Sequence, residues 1–185
     1  MSKLIRKSDI VKTNWSGGTT SEIFIHPNDA SFKLGNYKLR ISIATVEVEE
    51  SIFTPLPDVS RTLMVLEGTL KLDHDGHHSS ELTPFQQDSF SGGWNTKSEG
   101  KVIDFNVMTK NNSRATVAYI KLNSDQKIDL KNSNEIEVIH VLNGKLNYNK
   151  LEISSGESIV IYNDDVFQSI GSISEKTEII RVSYN

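Results

Sequence analysis

Cysteine is absent from this 185-residue chain, which removes disulfides, thiol nucleophiles and thiolate metal ligands together. A cysteine-free chain suits a reducing cytosol. A basic stripe is also missing: 20 Lys and Arg stand against 24 Asp and Glu, for a net charge of −4. Sequence-independent phosphate binding needs clustered cations, so nucleic acid is not expected as a partner. No window approaches the roughly 18 apolar residues that a membrane helix needs. Residues 1–12 hold no apolar stretch of signal-peptide length. A membrane partner is therefore not expected, and the expected location is the cytoplasm. An amphipathic helical stripe of about ten residues is not found anywhere either.

What is present is alternation. Apolar residues recur with a period near two in Lys38 to Val48 (KLRISIATVEV), Arg61 to Asp73 (RTLMVLEGTLKLD) and Lys101 to Met108 (KVIDFNVM). The same holds for Ala115 to Leu122, Glu135 to Leu142, Ser158 to Tyr162 and Thr177 to Ser183. These runs are short, rich in β-branched and aromatic residues, and bounded by Gly, Asn, Asp or Pro. Many short, evenly spaced strands predict an all-β sandwich or barrel.

One echo suggests duplication. Val65 to Leu70 reads VLEGTL and Val141 to Leu146 reads VLNGKL, 76 residues apart. Each is followed by a polar turn and an apolar alternation that ends in an acidic residue and a serine, Asp88-Ser89 and Glu157-Ser158. Repetition of the downstream context argues against a chance hexapeptide. A glycine between apolar strands suits a bulge or a close backbone approach. The boundary between the copies is expected near the polar run of residues 110–113.

The V-L-x-G motif in an antiparallel repeat resembles the cupin superfamily. The first half resembles a narrower group, the HutD/Ves proteins. The matching runs are Trp15 to Ile23 (WSGGTTSEI), Phe32, Arg40 to Val46 (RISIATV), Phe53 to Pro57 (FTPLP), Arg61 to Gly68 (RTLMVLEG) and Asp104 to Met108 (DFNVM). Their order and spacing match over residues 14–110, with a shorter Trp-to-Glu segment and with Asp58 where a glycine is usual. After residue 112 mostly the repeat supports the likeness. The resemblance implies two tandem cupin-like units, each a double-stranded β-helix, that form a bicupin: residues 1–112 and a smaller unit of 113–185. It implies no known catalysis. HutD members are associated with histidine utilisation, with a proposed role in sensing or limiting a small acidic intermediate, and Ves members with stress responses. Metal-binding cupins carry a Glu seven residues before the motif glycine and an H-x-H pair further upstream. Those positions hold Arg61, Pro55 and Pro57 in the first copy. In the second they hold Glu137, Lys131 and Ser133, and the late histidine position falls near Phe167 or Gln168. A metal needs several donors at fixed geometry, so no metal and no cofactor are expected in either cup.

Alternation places Arg40, Ser42 and Ala44 on one strand face, Arg61, Leu63 and Val65 on another, and Asp104, Asn106 and Met108 on a third. If these faces line one cup, it holds two guanidiniums, a carboxylate, an amide and a hydroxyl among apolar walls, the composition of a small polar-ligand pocket. An Arg fork grips a carboxylate through two parallel hydrogen bonds. Exchange of a metal-ligand Glu for Arg61 turns a site for a cation into one for an anion. The alternatives are that Arg61 and Asp104 neutralise each other as a buried pair, or that one Arg is paired internally and the other is free. Thr20 and Glu22 join the ligand-binding candidates, Glu22 as an orienter of an Arg, and Phe90 as a closing aromatic. Gly17-Gly18 reads as a tight turn rather than an anion nest. His74, His77 and His78 read as the tip of an exposed hairpin, His140 as a partly buried strand histidine, and His26 as loop. Trp15 and Trp94 read as packing residues or pocket lids. No Ser-His-Asp set is identifiable, and no residue is assigned as catalytic.

Three functions compete. The leading expectation is a metal-independent binding protein for a small carboxylate-bearing metabolite. The second is a metal-free isomerase or lyase with Asp104 as base and Arg61 as electrostatic stabiliser. The third is an interaction protein with a vestigial cup. A homodimer is compatible with the resemblance. The C-terminal cup reads as structural, with Glu137 and His140 its notable polar strand residues, on opposite faces.

Overall fold

The computed structural model describes residues 2–111, 113–130, 134–163 and 169–185. In chain order the strands are β1 (Lys3–Ile5), β2 (Val11–Trp15), β3 (Gly18–His26), β4 (Leu39–Val46), β5 (Glu50–Ile52), β6 (Val59–Glu67), β7 (Leu70–His74), β8 (Ser79–Leu82), β9 (Gln87–Ser91), β10 (Thr96–Glu99), β11 (Val102–Lys110), β12 (Ala115–Asn123), β13 (Lys127–Asp129), β14 (Ile136–Asn143), β15 (Lys145–Tyr148), β16 (Leu151–Ser154), β17 (Ser158–Tyr162), β18 (Ser169–Ser172) and β19 (Lys176–Tyr184). Helix among the described residues is limited to a 3₁₀ turn at Lys7–Asp9. No described helix is long and apolar enough to cross a membrane.

The chain divides into two compact units. One is Val11–Ser113; the other joins Met1–Ile10 to Arg114–Asn185. The N-terminal segment thus leaves the unit that residues 1–112 were expected to form. The reason is pairing: Leu4 of β1 sits opposite Ile159 of β17, and Ile5 is buried. Three residues of β1 offer too weak a period for sequence alone to say where they pair. Asn112, within the expected boundary run, lies outside the described residues.

In the first unit, one sheet has the order β2-β3-β4-β11-β6-β9 and a second the order β5-β10-β7-β8. Leu63 and Val65 of β6 and Phe90 of β9 share a buried apolar cluster with Leu70 and Leu72 of β7 and Leu82 of β8. One face of the larger sheet is therefore turned toward the smaller sheet. Each such side chain contributes about 1.5–3 kcal/mol relative to exposure. In the second unit the sheets are β1-β17-β14-β19-β12 and β13-β18-β15-β16. Adding eight to the strand numbers of β4-β11-β6-β9 and of β5-β10-β7-β8 reproduces the second unit's order. The core there is Ile139, Val141, Leu146, Ile153, Ile159, Ile170 and Ile179 with their neighbours. All strand pairs are antiparallel.

The two motif glycines occupy equivalent corners. Gly68 (φ +88°) follows β6 and Gly144 (φ +80°) follows β14. A Cβ on Gly68 would stand 2.5 Å from the carbonyl oxygen of Lys101, and one on Gly144 2.4 Å from that of Lys176. Both the left-handed backbone and the crossing chain exclude a side chain. Gly68→Ala and Gly144→Ala are each expected to lower stability by about 1–3 kcal/mol, read as a reduced midpoint in urea denaturation. Unchanged midpoints would show that neither corner is tight.

Candidate functional site

Strand register decides which side chains meet. Across β4, β11, β6 and β9, Arg40 stands opposite Met108, Met108 opposite Arg61, and Arg61 opposite Phe90. The next row inward reads Glu22, Ser42, Asn106, Leu63 and Asp88, and the third reads Thr20, Ala44, Asp104 and Val65. Directly opposed residues of antiparallel strands share a face. All eight residues singled out from sequence (Thr20, Glu22, Arg40, Ser42, Arg61, Phe90, Asp104 and Asn106) therefore lie on one face, the one turned toward the second sheet.

The two guanidiniums differ in their partners. Arg40 donates from Nε to Glu22 Oε2 at 2.7 Å, and its Nη1 lies 3.4 Å from Ser42 Oγ. Its guanidinium carbon stands 4.1 Å from the Phe32 ring centroid. Arg61, only 8% exposed, lies beside two neighbouring aromatic rings, its guanidinium carbon 4.6 Å from the Phe53 centroid and 5.2 Å from that of Phe90. Among the described residues no ion pair closes on it, and its Nε is buried without a hydrogen-bond partner. Asp104 Oδ1 and Asn106 Oδ1 are buried and unpartnered as well. Of the alternatives weighed from sequence, the Arg61–Asp104 ion pair is not formed, and the internally paired arginine is Arg40.

Burial acts on both groups. It draws Arg61 down to about 10, against the opposing pull of Asp104, which leaves it charged at neutral pH. It pushes the Asp104 carboxyl up to about 7, with Arg61 working in the other direction. Tyr37, buried at 2% exposure, faces the same charges: burial raises its pKa while Arg40 and Arg61 lower it. Its hydroxyl lies 3.7 Å from Met108 Sδ. Tyr37, Phe32 and Phe53 are wall residues to which the sequence analysis gave no role in the site. They come from the loops before β4 and after β5, and strand periodicity carries no information on loop paths. Phe32 and Phe53 did stand within the family runs, which was the available signal.

The second unit resolves its buried charge internally. Glu137 receives Arg181 Nε at 3.0 Å and Nη2 at 2.7 Å, Ser183 Oγ at 2.9 Å, and a hydrogen bond from Asn134. Arg181 and Ser183, not noticed in the sequence, lie on the Glu137 face. His140, on the other face, pairs with Ser158 Oγ at 2.8 Å, and burial lowers its pKa to about 4. Lys131, Ser133, Phe167 and Gln168 lie outside the described residues.

Two histidine expectations need correction. His74 is not at an exposed tip; it ends β7, is 1% exposed, and bonds Thr96 and Asp88. Its place in the inward Leu70-Leu72-His74 alternation buries it, while His77 and His78 are exposed. His26 closes β3 rather than lying in a loop. Gly17 belongs to the two-residue turn of the β2–β3 hairpin. Trp94 stacks on His77 at 3.8 Å between ring centroids, and Trp15 is 40% exposed. An open groove of about 910 Å³ lies elsewhere, over the smaller sheet, lined by Lys71, Asp73, Glu81, Lys97 and Glu99 among others. Its charges are exposed and of mixed sign.

These features define an all-β protein of cupin-like architecture with a polar, positively charged interior row. The HutD family model matches residues 7–176, and the chain belongs to the HutD family. Over 100% of this chain and 99% of the other, it is similar to the conserved protein PA5104 from Pseudomonas aeruginosa PAO1, with 19% identity and a TM-score of 0.85. HutD from Pseudomonas fluorescens SBW25 follows with 19% identity, full coverage of both chains and a TM-score of 0.76. The bacterial pirin YhhW from Escherichia coli, in complex with nickel(II), gives 16% identity, 99% and 98% coverage and a TM-score of 0.76. At these identities the likeness speaks for the fold. A search of the curated proteins gives no match.

The nickel(II) in the YhhW structure raises the question of a metal in either unit. The residues do not fit one. Pro55 and Pro57 offer no donor atom, Arg61 is a cation, and Glu137 already accepts four hydrogen bonds.

Two outcomes are expected. A carboxyl whose folded pKa is raised lets the native state hold a proton that the unfolded chain has lost. Stability from Asp104 is thus present below about 3.8 and lost as pH rises through about 7. Asp104→Asn is expected to flatten that decline, measured as urea midpoints from pH 5 to pH 8; identical slopes would show that Asp104 is ionised throughout. Arg181→Ala strands a buried carboxylate and is expected to cost about 3–5 kcal/mol, measured by thermal or urea unfolding.

Proposed function

We propose that the chain is a metal-independent binding protein for a small carboxylate, which docks in the first unit against Arg61. The observation that carries this is a guanidinium removed from water beside two aromatic rings, with Nε unpartnered and no ion pair to a carboxylate among the described residues. A buried charge is costly until it is paired and hydrogen-bonded. A carboxylate supplies both, through two parallel N–H···O bonds. Asn106 and Asp104, each with a buried oxygen lacking a partner, follow on the same face in the next two rows. A protonated Asp104 donates to a ligand oxygen. Arg40, held by Glu22 and within reach of Ser42, lies on the same face. We further infer that the two units are the cups of a bicupin, supported by the eight-strand repeat of their sheet orders. The binding role we assign is sensing or sequestering, in the cytoplasm, as proposed for HutD-like proteins in histidine utilisation. The Pseudomonas fluorescens relative comes from a formate condition, and formate is the smallest anion with the chemistry required.

A metal-free isomerase or lyase is the second reading, favoured by one observation: the Asp104 carboxyl titrates at about 7, the range that suits a general base.

The test is thermal shift and calorimetry with formate, acetate, small dicarboxylates, urocanate-like acids and formylated amino acids. Saturation at 100 times the dissociation constant adds about 2.7 kcal/mol, and Arg61→Ala is expected to abolish the shift. Affinity is expected to fall as pH rises from about 6 to 8, because ionisation of Asp104 (pKa about 7) adds a negative charge beside the anion. No shift with any acid, or equal shifts in Arg61→Ala, overturns the proposal.

A further inference from the structure

Outside the arginine row, three metal-competent side chains converge in the first unit: His74 at the end of β7, His78 in the turn before β8, and Asp88 in β9. We propose that they form a binding site for a divalent transition-metal ion of the zinc class. The site is distinct from the cupin metal position, which Pro55, Pro57 and Arg61 occupy. It does not depend on the carboxylate-binding role.

Geometry supports it first. His74 Nε2 lies 3.2 Å from Asp88 Oδ2, and His78 Nε2 lies 3.1 and 3.0 Å from Asp88 Oδ1 and Oδ2. One ligand atom from each residue falls within 4.8 Å of the others. Zinc bonds to nitrogen and oxygen of about 2.0–2.2 Å at a tetrahedral centre put neighbouring ligand atoms about 3.3 Å apart. The contacts to Asp88 already have that spacing, and His78, with 42% of its side chain exposed, is free to adjust. Two imidazoles are borderline donors suited to zinc or nickel, and a carboxylate oxygen is an ordinary third ligand to zinc.

The surroundings support it second. Metal-bound histidines are oriented through their other ring nitrogen, and His74 Nδ1 lies 2.8 Å from Thr96 Oγ1. With Thr96 accepting that proton, the Nε2 lone pair faces Asp88, two acceptors that a cation reconciles. Asp88 is in turn held by Ser80, whose hydroxyl donates to Oδ2 at 2.6 Å. The His74 ring is fixed against Phe90 at 4.4 Å and Trp94 at 5.6 Å. His78, with 42% of its side chain exposed, forms the solvent side of the cluster, from which an ion would enter. A bound ion would clamp the β7–β8 turn onto β9, whose Phe90 forms one wall around Arg61.

The competing arrangement needs no ion: each Nε2–H donates to Asp88, and Thr96 donates to His74 Nδ1. The two differ in the His74 tautomer and in metal affinity. The experiment uses the full chain, untagged and chelator-stripped, titrated with Zn²⁺ by calorimetry and with Co²⁺ by visible absorption. Trp94, within 5.8 Å of all three rings between centroids, reports by fluorescence. One ion per chain is expected, with a rise in melting temperature. His78→Ala and Asp88→Asn are each expected to weaken binding about tenfold or more, and His77→Ala to leave it unchanged. Because His78 is exposed, its variant keeps the fold and remains informative if Asp88→Asn does not fold. Absence of saturable binding, or binding undiminished in His78→Ala, overturns the proposal. So does a His74 ring protonated at Nε2 when Zn²⁺ is present.

Discussion

A guanidinium stripped of water must find negative charge, and each unit of this molecule answers that demand differently. In the second unit Arg181 and Glu137 form a bidentate pair, and Ser183 and Asn134 complete the carboxylate's hydrogen bonds. That network is closed: nothing in it calls for an outside group. In the first unit Arg40 has Glu22, but Arg61 has aromatic rings and, at a distance, an Asp104 that burial itself drives toward neutrality. An aromatic face contributes about 0.5–2 kcal/mol to a cation, too little to replace the hydration that burial removes. Duplicated sheet orders thus carry opposite electrostatic outcomes: a closed network around Glu137 in the second unit and an unpartnered Arg61 Nε in the first.

Register is what makes the first unit's arrangement specific. Arg40 and Arg61 are separated by one strand, with Met108 between them, which puts their Cα atoms about 10 Å apart. Two long cationic side chains at that spacing can serve one small group between them without colliding. A slip of one residue on β6 would turn Arg61 away from this face and bring Thr62 to it. The corners at Gly68 and Gly144 belong to the same constraint, since each admits a crossing chain immediately after the strand whose phase matters most.

The alternation that builds this face was plain in the sequence, because strands with one polar and one apolar side advertise their period. So was the repeat, since V-L-x-G-x-L marks a corner that only glycine can turn. Which residues share a face followed as well: Arg40, Ser42, Arg61, Asp104 and Asn106 were grouped correctly. What could not be read was anything set by two sheets facing each other or by loops. His74 seemed a hairpin-tip residue because its neighbours are Asp75 and Gly76, yet it continues the inward phase of Leu70 and Leu72. Tyr37, Phe32 and Phe53 reach the arginines from loops, where no period exists. Whether Asp104 would pair with Arg61 was a matter of ångströms, and spacing in sequence does not report ångströms.

The exchange at position 61 carries the longest consequence. In a metal-binding cup the strand before the motif glycine supplies a carboxylate, and the fold brings imidazoles to meet it. Here the second unit has a buried carboxylate, Glu137, quenched by Arg181, whereas the first unit has a cation, Arg61, at the matching distance before its motif glycine. Loss of ligands alone would leave an apolar cup, which costs little and which many sequences could fill. A buried, unpaired arginine is a different matter: it lowers stability in the free protein, and a chain retains such a group at a loss unless something bound repays it. With Phe53 and Phe90 as its nearest aromatic neighbours, Arg61 still lacks a counter-charge, and the small carboxylate proposed above is a group that would supply one.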